Sequence, residues 1–199
     1  QELWKTDGTA AGTVLVKDFW AGPANSGEVA NLAAAGKKLI GAAIDPKIGN
    51  EPFTSDGTAA GTTHANLNAA SPSSLPTNFT RIGSTLYFLC DDGIHGKELW
   101  KSDGTTAGTA MVADVYPGNI SSQPKSLVTL GNLVIFSAID GKNGREVWKS
   151  DGTAAGTAMI KNLQSGAEAR YPVNIVVCNG EAYFDALGNA LKPNPGREL

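Results

Sequence analysis

Histidine and cysteine are scarce, with two of each in 199 residues. No Cys-x-x-Cys pair and no Cys/His spacing suits zinc, so a zinc centre is not expected. Cys90 follows Tyr87-Phe88-Leu89, and Cys178 precedes an Asn179-Gly180 turn. Both read as buried thiols, and whether they are bonded depends on geometry that sequence does not supply. His64 falls in a predicted strand, and His95 in a Gly93-Ile94-His95-Gly96 loop where it should be solvated. There is no Gly-x-Ser-x-Gly elbow and no phosphate-binding loop. Nothing selects a carboxylate pair, so no catalytic residue and no cofactor is assigned.

Charge of one sign is also lacking. The formal net charge is −3, with no Lys/Arg cluster, which argues against nucleic acid as a partner. No apolar run approaches the ~20 residues of a membrane-spanning helix. Gln1-Glu2-Leu3-Trp4 does not read as a signal peptide, which leaves location open.

What the chain does have is a repeat. Glu-Leu-Trp-Lys-Thr-Asp-Gly-Thr-Ala-Ala-Gly-Thr starts at Glu2 and returns, with changes, from Glu51, Glu98 and Glu146. The motif aspartates Asp7, Asp56, Asp103 and Asp151 are spaced by 49, 47 and 48 residues. Units of that length cannot bury a core alone and must stack on their neighbours. The units run over approximately 2–50, 51–97, 98–145 and 146–197, and form a single array over 1–199.

Each unit reads as four short β-runs separated by turn signals. In one stretch these are Ser126 to Leu130, Leu133 to Ile139, Glu146 to Ser150 and Thr157 to Leu163. Further strands are expected near 2–6, 13–18, 98–102 and 109–115. Val29 to Ala35 is ambiguous between helix and strand. Four antiparallel strands repeated in tandem predict an all-β fold, a β-propeller built of four-stranded blades. The aromatic of the third run, Trp4, Phe53, Trp100 or Trp148, should fill the wedge between neighbouring sheets. Pro52 cannot donate to a ladder, so its strand should be irregular or shifted to an edge. The Gly188–Pro195 insertion, with two prolines, should be an exposed loop.

The motif resembles the ELWxxDGT-type repeats of large bacterial secreted and surface proteins. Glu98, Leu99, Trp100, Asp103, Gly104, Thr105, Gly108 and Thr109 carry the resemblance, with equivalents in the first and fourth units. The second unit matches only from Asp56 onward. The resemblance implies propeller-like blades in an extracellular or cell-surface protein, and no particular activity.

Four aspartates with clustered threonines invite a calcium reading. Calcium takes about six to eight oxygens, and each loop offers one carboxylate. The structural reading is preferred: Asp7, Asp56, Asp103 and Asp151 accept backbone N–H groups. Glycine at both motif positions, the second being Gly12, Gly61, Gly108 and Gly156, then supplies positive φ. Asp91-Asp92-Gly93 is a slightly better metal candidate but lacks an equally acidic counterpart in other units. No metal is assigned.

In an up-and-down unit, the first and third turns share one face. The second turn and the link to the next unit share the other, where the sequence varies. Trp20 and Tyr116 occupy equivalent link positions, with Asn68 and Gln164 there in the other units and Tyr171 nearby. Exposed rings beside amides can stack on a sugar. The preferred alternative is that they close unit-to-unit packing. Asn78-Phe79-Thr80 and Asn119-Ile120-Ser121 are glycosylation sequons.

The expectation is therefore a non-enzymatic extracellular scaffold or adhesion module. A carbohydrate-binding lectin on the variable face and a propeller hydrolase or lyase are the alternatives. Because the array starts at a third strand and stops near a second, its ends should pair within one chain or between two. The favoured partner is a second copy completing an eight-bladed ring, with neighbouring repeats of a longer chain as the other source.

Overall fold

The computed structural model describes residues 1–22, 27–69, 73–163, 171–187 and 197–198. It is all-β, and no helix occurs among the described residues. A first sheet holds β1 (Leu3–Lys5) and β2 (Val14–Lys17). A second runs β3 (Ala30–Ala35), β4 (Lys38–Asp45), β5 (Gly49–Ser55) and β6 (Thr63–His64). The third holds β7 (Thr77–Ile82), β8 (Thr85–Asp91), β9 (Lys97–Ser102) and β10 (Ala110–Ala113). The fourth holds β11 (Lys125–Leu130), β12 (Leu133–Ile139), β13 (Arg145–Ser150) and β14 (Ala158–Lys161). The fifth has β15 (Val173–Cys178), β16 (Glu181–Leu187) and β17 (Arg197–Glu198). All pair antiparallel in sequence order.

The four runs read from composition are the four strands. Val29 to Ala35 resolves as strand β3, because Ala33 and Ala35 pack with Ile40 and Leu86 into one core cluster. Pro52 does not push its strand to an edge. β5 lies inside its sheet and pairs with β4 without a break from Leu39↔Ser55 to Asp45↔Gly49. The Pro52 carbonyl accepts from Ala65 N at 2.8 Å, so the missing N–H lies on the β6 side. There the ladder is short, with β6 only two residues long. The Gly188–Pro195 insertion lies outside the described residues.

The cores lie between sheets. Val134, Phe136 and Ala138 of the fourth sheet pack against Tyr87, Leu89, Leu99 and Val112 of the third. Leu3 and Val16 of the first meet Ala43 and Phe53 of the second. Ile135, Val147 and Val128 of the fourth meet Ile175, Ala182 and Phe184 of the fifth. Alternation along each strand therefore sends one face to the preceding sheet and the other to the following one. The first strands form a series, with β3 against β7, β7 against β11 and β11 against β15.

The third-strand aromatic looks back to the preceding sheet. Phe53 is 0 % exposed and Trp100 8 %; Trp148 packs on the cluster shared with the third sheet. Trp4 departs from the expectation for its unit: no sheet among the described residues covers it, and it is 59 % exposed. The indole N–H groups of Trp100 and Trp148 are buried without a hydrogen-bond partner. Phe53 can therefore stand in this place without losing a bond.

One recurrent feature was not legible beforehand. Asn31, Asn78, Ser126 and Asn174 have φ between 54° and 57°. Each lies at the second residue of its first strand, inside the register shift with the next strand. Asparagine tolerates this left-handed backbone best among residues with a Cβ.

Candidate functional site

The most elaborate polar chemistry surrounds the repeated motif, and it has two parts. At the exposed turn, Asp103 Oδ1 accepts from Thr105 N at 2.9 Å and from Thr105 Oγ1 at 2.7 Å. Thr105 Oγ1 then accepts from Gly108 N at 2.9 Å. Ser102 and Thr109 share a 2.7 Å hydroxyl bond across the turn. The loops at Asp7, Asp56 and Asp151 repeat this pattern. These bonds, the threonine hydroxyl's first, hold all four carboxyls below the ordinary aspartate value.

The two motif glycines have different reasons. The first, Gly104 and its equivalents, has φ of 88° to 92°. The second has no positive φ, contrary to expectation. Gly12, Gly61, Gly108 and Gly156 are required because an added Cβ would fall inside the carboxylate of Asp7, Asp56, Asp103 or Asp151.

The second part is buried and turns on the motif glutamate, to which sequence reasoning gave no role. Glu98 is fully buried on β9. Its Oε1 accepts from Ser122 N at 2.7 Å. Its Oε2 accepts from Ser122 Oγ at 2.6 Å and Val115 N at 3.3 Å. Glu51 accepts from Ser74 Oγ and Leu67 N, Glu2 from Phe19 N and Gly27 N, and Glu146 from Leu163 N. Each glutamate thus ties the link that leaves its own sheet. Burial pushes the Glu98 carboxyl up to about 7 and moves Glu51 the same way. The signal in the sequence was Ser74 and Ser122, which follow Glu51 and Glu98 by 23 and 24 residues.

On the variable face, two of the named link residues pack against glycines. The Tyr116 ring covers Gly141, where a Cβ would collide with it. Asn68 is buried, sits on Gly93 in the equivalent place, and donates from Nδ2 to the Ser73 carbonyl at 3.3 Å. Trp20 is half-buried. Tyr171 is exposed, and Gln164 lies outside the described residues. Tyr116 and Asn68 are thus equivalents in space, each packed on a glycine of the sheet that follows it.

Asp92 binds its own loop, accepting from Ile94 N and His95 N, with its Oδ2 2.7 Å from His95 Nδ1. His95 is therefore not simply solvated; the Asp92 bond raises its pKa. Asp140 caps the equivalent loop through Lys142 N, Asn143 N and Asn143 Nδ2. Asp140 thus corresponds to Asp92, while Ile139 stands in the place of Asp91. Among the described residues, no three His, Cys, Asp or Glu side chains converge as metal ligands do. His64 packs against Phe19, with ring centroids 4.9 Å apart. Cys90 is buried, and Cys178 is exposed rather than buried; both are free thiols. Arg145 is buried, donating to the Gln123 carbonyl at 2.7 Å and to Gln123 Oε1 at 3.1 Å.

No family model matches this chain, and no curated protein does. Among solved structures, it is similar to the computationally designed Ika4 protein, at 14% identity and a TM-score of 0.43. The match covers 87% of this chain and 100% of that one.

Proposed function

We propose that this chain is a non-enzymatic β-propeller scaffold or adhesion module of an extracellular or cell-surface protein. The observation that carries the reading is where the motif's polar groups go. The aspartate, both threonines and the glutamate of each repeat are engaged by their own turn or link. A motif used so fully to fix its own backbone specifies architecture rather than chemistry. What supports radial blades is the series β3, β7, β11 and β15. In a propeller such first strands surround the axis. Partners are then proteins met through the outer surface, a second copy of this chain, or adjoining repeats.

A sugar site on the link face draws less support, because Tyr116 and Asn68 already pack on glycines of the next sheet. Added calcium should leave the melting temperature of the parent protein unchanged. A rise of several degrees that disappears in Asp103→Ala would replace the structural reading by a metal site.

A further inference from the structure

In the fourth sheet, one side chain ties a loop to the link that passes it. Asn143, between β12 and β13, donates from Nδ2 to Asp140 Oδ2 at 2.6 Å. Its Oδ1 accepts from Asn162 Nδ2 at 2.8 Å. Asn162 follows β14, where the link begins. An amide carries both a donor and an acceptor, so this bridge needs no proton from solution.

The third sheet has different chemistry at the same three positions. Asp92, His95 and Asp114 lie 48 residues before Asp140, Asn143 and Asn162. The bond between His95 Nδ1 and Asp92 Oδ2, 2.7 Å, takes the place of the Asn143–Asp140 bond. An ionised carboxylate only accepts, so neutral His95 carries its single proton on Nδ1, and its Nε2 is an acceptor. Asp114 is an acceptor as well. Its Oδ2 takes Gly118 N at 3.1 Å. Its Oδ1 is buried and has no hydrogen-bond partner among the described residues. Loop and link touch here: a Cβ on Gly96 would meet the backbone of Ser121 and Ile120. Ser121 Oγ also donates to the Lys97 carbonyl at 2.9 Å. What is missing between Nε2 and Oδ1 is a donor, and a second proton on His95 supplies it. Ile48 stands in the equivalent place of the second sheet and cannot make this bridge.

We propose that His95 is a proton-operated latch between the β8–β9 loop and the β10–β11 link. As an imidazolium it donates Nδ1–H to Asp92 and Nε2–H to Asp114, and so reproduces the Asn143 bridge. As neutral imidazole it keeps only the Asp92 bond, and the link is released at that point. The link carries Tyr116 onto Gly141 and Ser122 onto Glu98. The latch therefore sets how firmly the third sheet is held to the fourth, and it does not depend on the radial order of the sheets. The charged groups that act on His95 are Asp92 of its own loop, Asp114 of the link and Glu98 of β9. The bond to Asp92 first, and then these charges, raise its pKa above the ordinary 6.5, with burial opposing. The folded value is the higher one. The latch is thus closed below about 6.5 and opens as pH rises through the folded value.

The test is histidine NMR on the full chain, with His64→Leu identifying the His95 signal. In the parent, His95 should titrate above 6.5. In Asp114→Asn its pKa should fall by about 0.5–1 unit, a modest shift because the His95 side chain is 33 % exposed. Above its pKa, the nitrogen shifts should report the Nδ1–H tautomer. A second measurement is hydrogen-exchange protection of the Val115 and Ser122 amides. The parent is compared with the His95→Asn/Asp114→Asn double variant, which copies the fourth-sheet bridge. As pH rises through the His95 value, the parent should lose protection relative to that variant; the Glu98 contribution is common to both and cancels. A His95 pKa unmoved by Asp114→Asn overturns the latch. An Nε2–H tautomer in the neutral parent also overturns it, and that result depends on no variant. So does a protection difference between parent and double variant that stays flat from about pH 5 to 8.

Discussion

Replacing Glu98 with alanine should lower stability by about 3 kcal/mol, a fall in melting temperature of roughly 6–12 °C for a chain of this size. The truncation strands Ser122 N, Ser122 Oγ and Val115 N, which this one carboxyl satisfies in a buried setting. A loss below 1 kcal/mol would mean the link is held by something else. The same carboxyl gives stability a pH dependence. Its folded-state value, about 7, lies above the ordinary 4.5 because burial disfavours the charge. The folded chain therefore binds this proton more tightly than the unfolded one. The stabilising contribution is complete below about 4.5 and is lost as pH rises through about 7. Glu51 works in the same direction. His64, lowered by burial, works in the opposite one below its ordinary 6.5. The difference in melting temperature between the parent and Glu98→Ala, measured across pH 5 to 8, cancels the His64 effect and should narrow as pH rises.

The second large effect concerns Gly108. Alanine there should cost about 2 kcal/mol, because the new Cβ and the Asp103 carboxylate cannot share one place. Asp103→Ala alone should cost about 1 kcal/mol through the lost bonds to Thr105. In that background, Gly108→Ala should cost only a few tenths of a kcal/mol, since the obstruction is gone. Denaturant melts of the four chains of this double-mutant cycle check the prediction. Simple additivity would show that Gly108 is needed for another reason.

The aspartate turn was largely legible in the sequence because its partners lie within five residues. Asp103, Gly104, Thr105 and Gly108 recur together at fixed spacing, and local chemistry suffices to read them. The role of Glu98 was not legible, because its partners Val115 and Ser122 are 17 and 24 residues away, in links whose sequence varies. Strand positions followed from composition: β9, β12 and β13 start and end within one residue of their expected limits. Which way Pro52 points was not, since proline disrupts a ladder only on the side that its nitrogen faces. Trp4 and Trp100 look alike in sequence. Only the stacking order of the sheets makes one of them exposed and the other core. The variable links read equally well as a sugar site and as packing. Gly93 and Gly141 favour packing at two of the links, because Asn68 and Tyr116 occupy the space their side chains would need.

Radial order of the sheets is the claim on which the scaffold reading stands, and pulsed electron spin resonance distances test it most directly. Ala11, Ala60, Ala107 and Ala155 are exposed and occupy the same place in four successive motif turns. Spin labels there, taken in pairs on cysteine variants with Cys178 replaced, give the distance for one, two and three unit steps. Sheets arranged about an axis predict that the Ala11–Ala155 separation falls well short of the sum of the three single steps. A separation equal to that sum would mean that the sheets stack along a line, and would contradict the propeller.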